Sequence, residues 1–349
     1  MNAKKRIIYI VLIVALVIAV LASLCMGAMP IPLKDILLMV LQKTGIPVHY
    51  KADITYAGII SEIRLPRTLL SLLSGAALGI SGAAIQSVFR NPLAEPGLIG
   101  ISAGASMAAA FIIALEPLLF IQLGNLFGHY LLALGAFAGG ALAVFVVYRL
   151  SKSDGAPLTT MMLLAGIAIN ALAGAFTGLL SFIADERQLR SITFWLMGSL
   201  AGANWKAVWV TAPFVIISLI FLPGLAKPLN TFALGESQSN LLGMQADKVK
   251  TRVVILATLA TGVSVAFTGI ISFVGLLVPH ILRLLAGTDN RFIIPASALL
   301  GALTLAVADL LARTIVAPLE LPIGVVTAFL GTPVFLYILI KDKKKLYNR

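Results

Sequence analysis

Two arginines three residues apart, Arg64 and Arg67 in "SEIRLPRTLLSLLSGAALGISGAAIQS", stand at the head of a long run of small and apolar residues. A guanidinium offers carboxylates a planar fork of N–H donors. On its long stem it can equally anchor a helix end by reaching for lipid headgroups. Pro66 between them suits the first turn of a helix, where its missing N–H would have had no partner. Residue types alone leave both uses open. Asp309 and Arg313, late in the chain, lie one helical turn apart, so a local ion pair is the cheapest account of charge inside an apolar stretch.

Other chemistries lack their residues. No GxxxxGK[ST] phosphate loop and no HExxH pair occurs, and His49, His129 and His280 are scattered. The chain is therefore expected to hydrolyse no ATP, to hold no metal or cofactor, and to carry no catalytic residues. The apolar runs lack the series of carboxylates a proton relay needs. Cys25 is the one cysteine, which rules out an intrachain disulfide and a CxxC motif.

The elements that must position these residues are membrane helices. Hydrophobic residues make up 60% of the 349 and charged ones 11%, against roughly 25% charged in a soluble domain, and the mean hydropathy is +1.02. Apolar runs near the ~20 residues that cross a bilayer recur at 7–27, 61–83, 97–115, 131–150, 158–183, 206–223, 251–271, 273–287, 293–313 and 323–340. We expect an all-α integral membrane protein of about ten transmembrane helices, with 1–349 as one transmembrane domain. The first run resembles a signal peptide, yet its length and the bulky Leu24 before Cys25 favour an uncleaved helix. Most of the 26 Lys and Arg fall on the side that holds both termini, including "KKR" and the tail "KDKKKLYNR", so both termini are expected in the cytoplasm. The same rule accounts for the net charge of +12 without nucleic acid.

Arg64 and Arg67 then lie at the outer end of the second span. Within that span Ser71, Gly75, Gly79 and Ala83 keep small residues on one face, a stripe suited to close helix contact. "FRNPLAEPG" reads as a short structured connection. The segment 226–250 is longer than a chain reversal requires, which suggests a docking element.

Four motifs in order, "RLPRTLLSLLSGAALGISGAAIQSVFRNPLAEPGLIGISAGAS", "ALGESQSNLLG", "ISFVGLLVPHILRLLAGTDNR" and "ADLLARTIVAPLELPIGVVTAFLGTPVF", resemble the FecCD-type permeases of bacterial ABC importers for iron-siderophores, haem and cobalamin. The resemblance covers nearly the whole chain. It implies the type II ABC importer permease fold and a homodimer with the path at its interface. It further implies two cytoplasmic ATPase subunits that use ATP and Mg, and an external substrate-binding protein. By the same resemblance, Arg64, Arg67 and Arg313 match the outer-rim residues that pair with acids of the binding protein. Leu234, Gly235, Glu236, Ser239, Leu242 and Gly243 match the short helix seated in the ATPase, with Asp289, Asn290 and Arg291 on the same side.

The segment "QLRSITFWLMGSL" beyond the fifth span is similar to the haem-transporting branch, and cobalamin permeases share part of it. Arg190 could attract a propionate, and Phe194, Trp195 and Met197 could offer a flat macrocycle an apolar, polarizable surface. An interfacial aromatic belt is the plainer account of the same residues. Haem is the expected cargo, a ferric siderophore or cobalamin the alternative, and a stand-alone secondary carrier the reading from another class.

Overall fold

The computed structural model describes residues 3–27, 29–43, 54–115, 130–153, 156–241 and 243–347. In chain order its helices are α1 (Ala3–Cys25), α2 (Leu33–Lys43), α3 (Ile54–Gly58), α4 (Leu65–Phe89), α5 (Ile101–Ala114), α6 (Leu131–Leu150), α7 (Thr159–Ile183) and α8 (Glu186–Met197). They continue with α9 (Trp205–Gly224), α10 (Ala226–Thr231), α11 (Glu236–Leu241), α12 (Ala246–Thr268), α13 (Val274–Ala286), α14 (Asn290–Thr314) and α15 (Ile323–Tyr347). A two-residue antiparallel ladder, Lys152–Ser153 with Ala156–Pro157, follows α6.

Eight of the described helices are long and apolar enough to cross a membrane, and α5 and α13 are shorter apolar helices. Together they correspond to the ten expected spans. At 1.5 Å per residue α5 and α13 reach only about 20 Å of a hydrocarbon core of about 30 Å. Each is continued by irregular backbone, the 3₁₀ turn Pro96–Ile99 before α5 and residues 269–273 before α13. Such backbone is tolerated at membrane depth where protein buries it, and Ile99 and Ile271 are buried.

The bundle is built around α4, 83% of whose apolar window is buried, against 17% for α7. Its small-residue stripe is the reason. A Cβ on Gly75 would meet the Gly301 carbonyl, and one on Gly79 the Ser297 carbonyl, so α4 and α14 touch backbone to backbone. Dispersion between closely packed chains replaces the hydrophobic drive that lipid cannot supply. The sequence placed this span at 61–83, whereas the helix runs on to Phe89. Buried polar contacts hold that last turn: Gln86 Nε2 donates to Leu276 O at 3.0 Å and Ser87 Oγ donates to Asn290 Oδ1 at 2.8 Å.

Several elements were not read from the sequence, two of them helices of more than ten residues. One is α2, short and amphipathic; the other is α8, a half-length helix after α7. Their polar residues dilute the hydropathy signal that finds spans, while the capping box of α8, Asp185 with Gln188, was a legible start signal.

Candidate functional site: two ends of the bundle and a half-helix

At one end of the bundle Arg64, Arg67 and Arg313 converge. Arg67 Nε donates to Asp309 Oδ1 at 2.9 Å and Nη2 lies 2.8 Å from the same oxygen. Its Nη1 donates to Glu320 Oε1 at 2.7 Å and Oε2 at 2.9 Å. Arg313 Nη2 donates to Ser23 O at 2.7 Å and Ser23 Oγ at 2.6 Å, and its Nε is 3.5 Å from Asp309 Oδ2. The expected Asp309–Arg313 contact is therefore present, but Arg67 is the closer partner. Arg64 has no carboxylate: its guanidinium donates to the carbonyls of Leu24, Cys25 and Met29. The first two carbonyls close α1, whose C-terminal end favours a cation, and the third belongs to the segment that follows it.

The sequence led us to expect exposed guanidinium groups at an outer rim. In this chain they are buried, with Arg64 4%, Arg67 7% and Arg313 6% exposed, because each satisfies acceptors on neighbouring helices. The approach of α3 to α4 helps to set this. Pro66 cannot donate to the carbonyl four residues back, and the chain enters α4 through a widened π-type turn, Ile59–Arg64. Glu320, whose side chain is 38% exposed, is the accessible charge of the cluster. Sequence reasoning missed its part and that of Ser23, since each pairs with an arginine far away in the chain, Glu320 with Arg67 and Ser23 with Arg313.

At the opposite end a second polar junction forms. Asn230 Nδ2 donates to Asp289 Oδ1 at 2.9 Å, while Asn230 Oδ1 accepts from the Asn290 backbone N–H at 2.8 Å. Lys5 Nζ donates to Asp289 Oδ2 at 3.2 Å. The Asn230 amide, then the Arg291 N–H and Lys5, hold the Asp289 carboxyl below its ordinary range. Helices α1, α10 and α14 are thus tied at one point. Beside it lies a groove of about 520 Å³ whose lining includes Arg90, Asn91, Asn230 and Arg283. The "FRNPLAEPG" connection forms its rim as an ordered turn: Arg90 adopts φ 49° and Leu93 N–H donates to Asn91 Oδ1 at 2.9 Å. Burial pushes the Glu95 carboxyl in this connection upward.

The expected coupling residues sit at this same end. Ser239 is fully buried and its Oγ donates to Gly235 O at 2.7 Å and Thr231 O at 2.8 Å, folding α11 back onto α10. Gly235 and Gly243 take positive φ, 103° and 79°, which glycine alone adopts without strain. Leu242 lies outside the described residues, and only the backbone of Leu234 and Glu236 is described. Leu241, which sequence reasoning did not single out, is 87% exposed, an apolar side chain offered outward from α11.

The third feature is α8. Its carboxyl end is capped by Gly198 N–H, which donates to Trp195 O at 3.2 Å, and is tied to two other helices, Ser199 N–H donating to Thr268 O at 2.8 Å and Ile323 N–H to Gly198 O at 3.0 Å. Ile192 is buried and Trp195 half-buried, whereas Arg190, Phe194 and Met197 are exposed. At spacings of four and three these last three share one helix face. Trp195 packs instead against the protein beside Phe267, so the four expected path residues do not form one surface.

A family model described as the FecCD transport family matches residues 15–341. The hemin transport system permease of Yersinia pestis is 41% identical over 284 residues, covering 81% of this chain and 84% of its own length. The cobalamin import system permease of Halobacterium salinarum is 38% identical, covering 84% of this chain and 76% of its own. Among solved structures, a metal-chelate type ABC transporter in an inward-facing conformation superposes with a TM-score of 0.82 at 30% identity, over 96% of this chain and 99% of that one.

Proposed function

This chain belongs to the FecCD transport family as the permease subunit of an ABC importer, and on that premise we propose that its cargo is haem, with ferric siderophores and cobalamin as rivals. The chain is a transport subunit and not an enzyme. ATP and Mg²⁺ are used by two partner ATPases, and the chain works as a homodimer fed by an external binding protein. The positive-inside rule supports both termini in the cytoplasm of a multi-pass protein of the bacterial cytoplasmic membrane. On that orientation the arginine end faces the binding protein, and the Asp289 end, with Ser239 and the exposed Leu241, faces the ATPases.

The observation that carries the haem reading is the α8 face. Arg190 offers a carboxylate partner, with Phe194 and Met197 apolar beside it, on a helix fixed in place at Gly198. A rigid scaffold presenting one cation and a soft apolar surface suits a flat dicarboxylate macrocycle. The exposed flank of α7, with Phe182 86% exposed, supports a second copy meeting this side. The arginine cluster, paired internally, would act on docking by holding the end of α1 and the 315–322 loop in place beneath the binding protein.

The test is uptake by the reconstituted permease–ATPase complex with its binding protein, offered haem, a ferric siderophore or cobalamin. ATP-dependent uptake of haem alone is expected, with Arg190→Ala raising the haem concentration for half-maximal uptake about tenfold, as for a charged hydrogen bond. Uptake of either rival instead would remove haem and leave the importer. Flux without ATP would point to a secondary carrier.

A further inference from the structure

A groove between α6 and α12 belongs neither to the arginine end, nor to the coupling surface, nor to α8. It holds about 490 Å³, within the range of small-molecule pockets. Phe137, Val144 and Phe145 of α6 face Val254, Ile255 and Leu259 of α12 across it. It opens on the flank of the bundle, where Phe145 is 54% and Ile255 53% exposed. One end is polar. There Tyr148 Oη and Thr251 Oγ1, 2.8 Å apart, join the two helices, and Arg149 and Lys152 complete the lining.

These cations are held in place. The Arg149 guanidinium lies 5.3 Å over the Phe145 ring and Lys152 Nζ lies 4.9 Å over the Tyr148 ring, so the rings that wall the groove also set the charges across its mouth. Among the described residues no lining side chain is acidic, and Asp247, on the first turn of α12, is engaged by Lys250 at 3.3 Å. Lys248 and Arg252 are exposed one turn apart at the same end of α12. The depth also fits one leaflet: from Phe137 to Tyr148 the helix rises about 16 Å, about half of a 30 Å hydrocarbon core.

We propose that this groove is a site for one anionic phospholipid, its acyl chain between α6 and α12 and its phosphate between Arg149 and Lys152. An apolar slot alone would accept any lipid tail. The paired cations at its headgroup end select negative charge. The lipid would fasten α6 to α12 on the leaflet nearest the ladder, and the proposal rests on the membrane assignment, not on the cargo.

The test is native mass spectrometry of the detergent-purified permease–ATPase complex titrated with phosphatidylglycerol or phosphatidylcholine. One tightly retained phosphatidylglycerol per permease chain is expected, with phosphatidylcholine lost at the same concentrations. The double variant Arg149→Gln/Lys152→Gln lowers phosphatidylglycerol affinity about twenty-five-fold, fivefold per charge. Ile255→Trp, which narrows the slot from its exposed side and keeps both cations, lowers it as well, while Arg187→Gln on α8 leaves it unchanged. Equal retention of the two lipids, or wild-type retention by the double variant, would overturn the proposal.

Discussion

Replacing Asp309 by Asn separates a structural ion-pair network from a set of surface charges. Asp309 is 1% exposed and faces two guanidinium groups, Arg67 at 2.8 Å and Arg313 at 3.5 Å. Asn keeps the shape and one acceptor oxygen but leaves two buried cations, Arg67 and Arg313, with Glu320 as the one remaining carboxylate, paired to Arg67. Breaking a buried pair from one side costs about 3–5 kcal/mol, since the surviving charge stays buried and uncompensated. Arg67 retains Glu320, which places the expected loss near 3 kcal/mol, about a hundredfold in the folded ratio. Glu320→Gln removes a partner that is itself 38% exposed and is expected to cost about 0–1 kcal/mol. The double replacement Arg67→Met/Asp309→Leu removes both buried charges and should recover most of the loss. Titrating the mixed-micelle protein with dodecyl sulfate and following helical circular dichroism measures all three. Asp309→Asn within about 0.5 kcal/mol of wild type, or Glu320→Gln as costly as Asp309→Asn, would refute the network. The same burial means that reversing all three arginines would loosen the α1–α4–α14 junction before it reported on docking.

Gly79→Ala should destabilise by about 1–3 kcal/mol, the cost of overpacking, since its Cβ would press on the Ser297 carbonyl; Gly224→Ala, with open space around it, serves as the neutral control in the same titration. Because the Asp289 carboxyl is held low, its contribution is present above the ordinary carboxylate pKa and lost as pH falls through the lowered one. Thermal midpoints should therefore drop more for wild type than for Asp289→Asn between pH 6 and about pH 3. Removing residues 234–243, which include α11, should release the ATPase from the purified complex, and Leu241→Asp should weaken copurification without changing permease yield; an ATPase that still copurifies with the deletion would exclude this segment as the coupling contact.

How far the chain could be read beforehand differs from residue to residue. Gly75 and Gly79 announced a close helix contact because spacing of four is a local property of a helix, but the partner, Gly301 and Ser297 on α14, lies more than two hundred residues away. Helix α8 carried a capping signal in Asp185 and Gln188, yet which of its side chains face outward depended on where Ser199 is tied to α12 and Gly198 to α15. Thus Trp195 turned inward while Arg190, Phe194 and Met197 stayed exposed. Arg64 and Arg67 were conspicuous at once, and their burial was not, because nothing near them in the chain reveals the carbonyls of Leu24 and Met29 or the carboxylate of Asp309.

Composition and hydropathy by themselves determined that this is a polytopic helical membrane protein with about ten spans, because lipid leaves backbone N–H and C=O groups no partner but their own helix, and four ordered motifs pointed to its family. The assignment of charges to roles was decided only by the tertiary structure. A buried guanidinium must find acceptors within hydrogen-bond reach, and for these arginines those acceptors come together only when α1, α4 and α14 pack side by side.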